Sequence, residues 1–423
     1  MRRFLPAAFG VAVLLSAAGL ILWLRTEPGT APEPVSGQPV RIDLTEPEPI
    51  APPPAPAGPA TVEVPGTAGR IMPVAAPESA VLTAEGERLV LDFARRTGTE
   101  ALLIWQGGAL QLEFYGAATQ PFDRLDGRGL QAGLLTLLAG QAVRDGYIPS
   151  LEDPVVRWIG EWKDDPRGRI TLRQLLQGTS GLDLPAGEPV MDDTLARTLS
   201  APLAAAPETR FAPNLMEMQV LGLVLARAAG QPLPTYLSER LWQPLGARTA
   251  EMRLGADGTP VLTCCFAATP RDWLRIGLLL LEGGAVAGQP LVSTPWVDDV
   301  QRPTPWSRND GTRVRLAWPF DPKGPLQASA AFREPDTVFL TGDGGQRIYV
   351  ARGADLVILR LGAEVERWDE AELPNLVARH LEVQQARPRK AGGDLSGIEL
   401  PPITTPPPIP SVEAVPLDAP AAE

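Results

Sequence analysis

Apolar residues recur at helical spacing in several stretches of the chain. The clearest stretch, TPRDWLRIGLLLLEGG, has Thr269 as the expected N-cap, Pro270 at the first helical position and Asp272 placed like the acid of a capping box. Another stretch, MEMQVLGLVLARAAG, is apolar enough for a buried helix that ends at Gly230. The pattern therefore predicts helices within residues 83–98, 130–144, 216–230 and 269–284.

Two stretches near the ends of the same region have the pattern of β-hairpins. ALLIWQGGALQLEFYG has two apolar runs on either side of Gly107 and Gly108. QRIYVARGADLVILRLG repeats this pattern, with a predicted turn at residues 352–355. Strands thus occupy both ends of the region and helices occupy its middle. We therefore expect an α+β domain whose terminal strands meet in one antiparallel sheet.

The first residues of the chain include an uncharged apolar run with the length of a membrane span. Residues 4–24 follow Arg2 and Arg3, and as a helix they would extend about 30 Å. The lack of a good small-x-small cleavage site favours a retained transmembrane helix over residues 1–25. The positive-inside rule places the N-terminus in the cytoplasm. We therefore expect a single-pass protein of the inner (cytoplasmic) membrane with its globular domain in the periplasm.

Proline-rich segments flank the predicted domain. Residues 26–79 include EPEPIAPPPAPAGPATVEVPG and residues 386–423 include PPITTPPPIP, and neither segment has a helical or strand period. These compositions predict a semi-rigid linker and a disordered tail around a domain at residues 80–385. A second interpretation is that the proline-rich segments dock onto an aromatic groove of a protein partner.

The charged residues exclude one class of partner. The net charge of −12 over 423 residues argues against a general nucleic-acid binder. Lysine occurs only at Lys163, Lys323 and Lys390, so nearly all positive charge is carried by arginine. This scarcity of lysine restricts the chemistry that the domain can perform.

Five blocks of the domain follow one another in a recognisable order: DGYIPSLEDPVVRWI, ITLRQLLQGTSGL, VLGLVLARAAGQPLPTYLSERLWQPLGA, CCFAATPRDWLRIGLLLLEGG and GDGGQRIYVARGADLVILRLG. In this order they resemble the β-lactamase-like serine hydrolases, which include class C β-lactamases, D-Ala-D-Ala peptidases, related esterases and 6-aminohexanoate-dimer hydrolases. The resemblance implies a β-lactamase/transpeptidase-like α+β fold, with an antiparallel sheet flanked by helices plus a mostly helical lobe. It implies no cofactor and no metal.

The reaction of this family needs a Ser-x-x-Lys motif at the start of a buried helix and a tyrosine from a second motif. Counting back from Gly146 places the serine at Gly129 and the lysine at Ala132. Counting back from QVLGLVL places the tyrosine at Pro213. In the third motif Asp343 precedes two glycines, where many relatives carry a basic, polar or aromatic residue.

The absence of nucleophile, base and tyrosine predicts a family fold that has lost its reaction. Residues 120–149 contain no serine, no Ser-x-x-Lys occurs in the chain, and the helix keeps a core stripe of leucines at 134, 137 and 138. We expect a membrane-anchored pseudoenzyme with a binding or scaffolding role, whose emptied cleft accepts a neutral or cationic peptide-like ligand. The alternative is a hydrolase of amide or ester bonds with another nucleophile, for instance Thr136 or Ser180, although Ser180 also suits a small-residue turn.

The two cysteines and the single histidine have several interpretations. Cys264 and Cys265 form a vicinal disulfide in an oxidising compartment, or remain two buried thiols, or belong to a strained loop. No metal-ligand spacing surrounds them. His380 is the single histidine of the sequence and is not part of a second-histidine pair, which argues against a His-based catalytic triad. We expect His380 on the surface of a terminal amphipathic helix.

Acidic residues near the predicted motifs have simple structural interpretations. Asp153 and Asp272 are predicted to be turn and cap residues. Asp123, Asp126 and Asp343 would bind a cation if they met at one cleft, but nothing in their spacing requires this.

Overall fold

The computed structural model describes residues 60–76, 80–183, 194–212, 216–301 and 328–381, and these ranges contain eleven strands and nine α-helices. The strands are β1 Thr61–Val64, β2 Thr99–Gln106, β3 Ala109–Tyr115, β4 Leu125–Asp126, β5 Ala250–Arg253, β6 Phe266–Ala268, β7 Ala285–Val286, β8 Gln289–Pro290, β9 Val338–Gly342, β10 Gln346–Ala351 and β11 Leu356–Gly362. The helices are α1 Ala84–Arg96, α2 Gln131–Arg144, α3 Leu172–Gln177, α4 Thr194–Ser200, α5 Met216–Ala229, α6 Leu233–Leu237, α7 Pro270–Leu281, α8 Thr294–Gln301 and α9 Glu372–Arg379.

The central sheet joins the two ends of the domain. Its five strands lie in the order β3-β2-β11-β10-β9, and every neighbouring pair is antiparallel. The β2–β3 hairpin turns at Gly107 and Gly108, whose φ angles of 62° and 89° require the left-handed backbone that glycine adopts freely. The β10–β11 hairpin turns at residues 352–355. Both predicted hairpins are confirmed, and the terminal strands share one antiparallel sheet as expected.

Both faces of the central sheet are buried. Along β2, Ala101 and Leu103 belong to the large core, which also contains the helical lobe, that is helices α3–α6 and α8. Leu102 and Ile104 belong to a smaller core under α1 and α9. Because successive side chains of a strand point to opposite faces, a strand buried on both sides reads as a continuous apolar run. The sheet therefore lies between α1 and α9 on one face and α7 with the helical lobe on the other, which is an α+β fold.

A second antiparallel sheet contains residues that the sequence assigned to the linker. Its strand order is β1-β5-β6-β4, and β1 pairs with β5 from Thr61 opposite Arg253 to Val64 opposite Ala250. Val64 and Met72 are buried in the large core. The predicted linker of residues 26–79 is therefore too long, because residues 60–76 are part of the folded domain.

The predicted anchor, residues 1–25, and the predicted tail, residues 386–423, lie outside the described residues. Within the ranges that the structure describes, no helix has the length and apolar character needed to cross a membrane.

Helices α1 and α7 begin where their capping signals place them. At the start of α1, the hydroxyl of Thr83 accepts the N–H of Gly86 at 3.1 Å. At the start of α7, the hydroxyl of Thr269 accepts the N–H of Asp272 and donates to the Asp272 carboxylate at 2.6 Å, and Pro270 is the first helical residue. The predicted cap role of Asp272 is confirmed, as are the helices predicted over residues 83–98, 130–144, 216–230 and 269–284.

Helix α2 is buried on all sides, rather than along the leucine stripe that its sequence predicts. Every residue from Gln131 to Ala142 is buried. Two glycines allow this close packing: a Cβ atom on Gly133 would collide with Leu340 of β9, and one on Gly140 would lie 2.5 Å from the indole of Trp296 in α8. Helix α2 therefore packs at once against the central sheet and the helical lobe, which fixes the position of its N-terminus.

Replacing Gly133 by alanine should destabilise the domain, because the new methyl group collides with Leu340 in a filled core. We expect a loss of about 1–3 kcal/mol in the free energy of unfolding. Leu340→Ala alone should cost about 2–5 kcal/mol through the cavity that it leaves. The double variant should cost less than the sum of the two, because the methyl group at 133 fills part of that cavity.

Equilibrium unfolding in guanidinium chloride measures all three variants. Gly160→Ala is the matched control, since no atom lies within 4 Å of a Cβ added at Gly160. Strictly additive losses at 133 and 340 would contradict the close packing of α2 on β9.

Candidate functional site at the start of helix α2

Gly129 occupies the position where the family resemblance expects a nucleophilic serine. It is buried directly before α2, and its φ angle of 113° lies in a region that side-chain-bearing residues rarely adopt. Its backbone N–H donates to Oε1 of Gln131 at 3.0 Å. The position therefore offers neither a hydroxyl group nor a free amide to an acyl substrate.

Ala132, at the expected lysine position, is only 1% exposed and packs in the large core. Its buried neighbour Gln131 ties α2 to the loop between β5 and β6 by donating from Nε2 to Leu262 O at 3.1 Å. Gln219 of α5 holds the same loop, accepting the N–H of Leu262 at 2.9 Å and donating to Pro260 O at 2.7 Å. The sequence analysis did not identify Gln131 or Gln219 as site residues. The feature that could have identified them is a glutamine inside an otherwise apolar helical stretch.

The end of β9 packs directly onto the turn before α2. The N–H of Asp343 donates to Arg128 O at 2.7 Å, and a Cβ atom on Gly342 would lie 2.9 Å from the same carbonyl oxygen. Two buried arginines hold this strand end from the interior: Arg347 donates to Gly342 O, and Arg360 donates to Gly344 O. Positions 129 and 132 therefore do not line the open cleft that the sequence interpretation assumed.

Asp126 and Asp343 stand at the rim of this closed site. One carboxylate oxygen of Asp126 accepts the N–H groups of Arg128 at 2.9 Å and of Cys265 at 3.1 Å. Burial raises the pKa of the Asp126 carboxyl despite these two bonds. Loss of hydration also raises the pKa of the Asp343 carboxyl, against the opposing charge of Arg347. The rim is thus mixed in charge, since Arg128 is exposed beside the two acids.

Pro213, at the expected tyrosine position, lies outside the described residues. The two alternative nucleophiles are described, and both are buried. Thr136 is 2% exposed and its hydroxyl donates to Ala132 O at 2.8 Å. Ser180 is fully buried, and its hydroxyl donates to the carboxylate of Glu217 in α5. Sequence reasoning missed Glu217, although an acid within an apolar helix is a signal of a buried polar partner.

Cys264 and Cys265 are joined as a vicinal disulfide, the first of the three interpretations that the sequence left open. Both residues are half-buried at the end of the β5–β6 loop. Cys265 has a φ angle of 72°, and its carbonyl oxygen accepts the N–H of Arg253 at 3.1 Å. The disulfide therefore lies next to Asp126 at the rim of the candidate site.

The prediction that His380 is a surface residue holds only in part. Its ring is half-buried after α9, packs against Gly86 of α1 and lies 3.4 Å from the hydroxyl of Thr83. The helix that carries it lies against α1, so the turn after α9 is covered. Asp153 accepts the N–H of Ser150 at 3.1 Å, which confirms its predicted turn role.

The described residues form no site for a cation. Asp123 accepts the N–H of Gln120 at 2.7 Å within its own turn. Over the described ranges, no three or more His, Cys, Asp or Glu residues are grouped to hold a metal ion. The suggested cation site of Asp123, Asp126 and Asp343 is therefore not formed.

Comparison with known proteins relates this chain to hydrolases of one fold. A family model described as Beta-lactamase matches residues 133–381, which begin one residue after Ala132. Esterase EstB of Burkholderia gladioli is 30% identical over 188 residues, which cover 36% of this chain and 46% of the esterase. The 6-aminohexanoate-dimer hydrolase of Paenarthrobacter ureafaciens is 26% identical over 225 residues, covering 48% of this chain and 57% of the hydrolase. The chain thus spans about half the length of the curated relatives it matches.

Solved structures share the fold at low sequence identity. A Bacillus anthracis protein described as a 6-aminohexanoate-dimer hydrolase superimposes with a TM-score of 0.60 at 16% identity, over 76% of this chain and 89% of that protein. A class C β-lactamase of Rhodobacter sphaeroides gives a TM-score of 0.51 at 16% identity, over 70% of this chain and 97% of the enzyme. These similarities establish the β-lactamase/transpeptidase-like fold.

The two hydrogen bonds to Asp126 should matter more for stability than its charge. Asp126→Asn keeps an oxygen acceptor and removes a partly desolvated charge, so its stability at pH 7 should equal or exceed that of the parent. Asp126→Ala leaves two N–H groups without this acceptor and should cost about 1–3 kcal/mol. Thermal unfolding of the three proteins at pH 7 measures the ranking.

The stability difference between the parent and Asp126→Asn should depend on pH with a definite sign. Because folding raises the pKa of Asp126, the cost of its charge is present above the folded-state pKa and disappears as pH falls toward the unfolded value of about 3.9. Any advantage of Asp126→Asn should therefore shrink between pH 7 and about pH 4. An advantage that grows on acidification would contradict this account.

Proposed function

Since the chain belongs to the β-lactamase family, we propose that it is a non-catalytic member that keeps the family fold for a binding or scaffolding role. The observation that carries this proposal is the state of the nucleophile position. Gly129 is buried in a backbone conformation unsuited to serine, and its N–H is bonded to Gln131. Acyl transfer needs a nucleophile and amide donors for the oxyanion, and this position presents neither.

The packing around the site supports the same proposal. An amine at position 132 would have to replace a methyl group that is 1% exposed, and burying an unpaired ammonium group is costly. The Asp343 N–H at the end of β9 is also occupied, by Arg128 O. The backbone amides on both sides of the turn are thus already bonded within the protein.

The alternative is an active hydrolase of amide or ester bonds with a non-standard nucleophile. The names of the two curated relatives, an esterase and a 6-aminohexanoate-dimer hydrolase, favour this alternative. Against it stand the two candidate hydroxyl groups. Thr136 and Ser180 are buried, and each donates its hydrogen to an acceptor inside the domain. An active hydrolase therefore remains the alternative that the activity test below must exclude.

A ligand of the proposed binding site would meet the rim rather than the buried positions. Asp126, Arg128 and Asp343 present two carboxylates and one guanidinium there. This composition suits a neutral or cationic peptide-like ligand better than the carboxylate-bearing substrates that a basic site would attract. The proline-rich segments remain proposed docking elements for a protein partner.

We also propose that the chain is anchored in the inner membrane by residues 1–25, with the domain in the periplasm. The uncharged run at residues 4–24 after two arginines supports this topology. The Cys264–Cys265 disulfide supports an oxidising compartment.

Intact mass spectrometry tests the loss of the reaction. Full-length protein incubated with a fluorescent penicillin and with a fluorophosphonate should show no covalent adduct, because the two candidate hydroxyl groups that the structure describes, those of Thr136 and Ser180, are buried and hydrogen-bonded. Hydrolysis of p-nitrophenyl esters should not exceed that of a Ser180→Ala variant. A stoichiometric adduct on any serine or threonine, with turnover that the substitution of that residue abolishes, would establish the hydrolase instead.

Restoring Ser-x-x-Lys distinguishes a site that lacks only two side chains from a site whose backbone and packing have also changed. Gly129→Ser combined with Ala132→Lys should unfold at lower temperature than the parent and remain inactive, because serine meets a φ angle of 113° and lysine enters the core. A stable double variant that gains esterase activity would mean that the site is only missing two side chains.

The anchor prediction is tested by fractionation. Full-length protein should sediment with membranes and begin near Met1, and a periplasm-dependent reporter fused after Glu423 should be active. Deleting residues 4–24 should release the protein from the membrane fraction. A membrane-free protein whose N-terminus follows Arg25 would show that the segment is a cleaved signal peptide.

A further inference from the structure

The only two cysteines of the chain are adjacent, so neither has another disulfide partner within the protein. They are bonded to each other and half-buried at the end of the β5–β6 loop, and neither belongs to the hydrophobic core. Packing therefore does not account for a cysteine at either position. Disulfides that solvent can reach are the ones that exchange readily with thiols.

The backbone of this pair is connected to the start of α2. The N–H of Cys265 donates to the same Asp126 oxygen that accepts the N–H of Arg128, one residue before Gly129. Cys265 also has a φ angle of 72°, a left-handed conformation that a non-glycine residue adopts only when its surroundings impose it. The bond to Cys264 closes a ring across these two residues and supplies such a constraint.

We propose that Cys264–Cys265 is a reversible thiol–disulfide exchange site whose redox state controls the order of the turn at residues 126–129. The co-reactant is a dithiol reductant. This inference goes beyond the proposed binding role and holds whether or not the domain hydrolyses any substrate.

The exchange proceeds in two balanced steps. A thiolate of the reductant attacks one sulfur, the bond between Cys264 and Cys265 breaks, and the other cysteine leaves as a thiolate that takes up a proton. The second thiol of the reductant loses its proton and attacks the reductant sulfur of the mixed disulfide, and the protein cysteine leaves as a thiolate that takes up a proton. Two electrons and two protons have then passed from the dithiol, which is now a disulfide, to the cysteine pair.

Reduction removes the ring that constrains the backbone of Cys265. Once free, Cys265 relaxes from its left-handed conformation, and its N–H moves away from Asp126. The turn before α2 then loses a contact that orders it, while the β5–β6 loop remains held at Leu262 by Gln131 and Gln219. The effect is therefore confined to the rim of the candidate site.

Maleimide labelling under native conditions tests the exchange. Full-length protein should bind no N-ethylmaleimide before reduction and two equivalents per chain after dithiothreitol, without denaturant. Hydrogen exchange should quicken severalfold in residues 126–129 and 263–266 and remain unchanged in β2 and β11. Reoxidation should restore both the mass and the exchange pattern.

Cys264→Ala combined with Cys265→Gly is the matched control, because glycine adopts the left-handed backbone without a disulfide. Its hydrogen exchange should not respond to dithiothreitol. Maleimide labelling before reduction, or labelling only after denaturation, would overturn the proposal of a thiol–disulfide exchange site. Two equivalents of maleimide bound without any change in hydrogen exchange at residues 126–129 would overturn the proposal that the redox state orders this turn.

Discussion

Arg347 lies in the interior of the domain, 4% exposed, and the position of the β9 end depends on it. Both oxygens of the fully buried Glu370 accept from its guanidinium group, and Tyr349 and Trp368 donate to the same carboxylate. The remaining side of the guanidinium group donates to Gly342 O at 2.6 Å. Removing Glu370 would leave an uncompensated buried charge, which costs about 3–5 kcal/mol. The end of β9 is thus fixed by the interior of the protein.

This constraint explains how two backbone amides of the site find partners within the protein. With Gly342 held in place, the Asp343 N–H reaches Arg128 O, and on the other side of the turn the Gly129 N–H reaches Gln131. An unpaired buried amide costs about 1–3 kcal/mol, so the bond from the buried Gly129 N–H to Gln131 stabilises the turn. The amides on both sides of the turn are therefore paired within the protein.

Local signals in the sequence were sufficient for most of the central sheet and for the main helices. Thr269 and Gly107-Gly108 act within a few residues of themselves, so a capped helix and a hairpin turn can be recognised without knowing the fold. The strand within residues 60–76 was not recognised, because four residues in a proline-rich segment pair with residues near 250. The burial of Ala132 was also not predicted, since it depends on how α2 meets β9 and α8 rather than on the helix itself.

The same packing bears on the proposal that the fold is kept without its reaction. Helix α2 contacts the sheet through Gly133 and the helical lobe through Gly140, so its sequence is constrained by volume at every turn. An active member of the family has to keep a lysine near this helix start, and a buried ammonium group requires polar partners or destabilises the core. Alanine at position 132 removes that requirement. The proposed loss of catalysis is thereby compatible with a more stable domain, and selection for a binding surface would be enough to retain the fold.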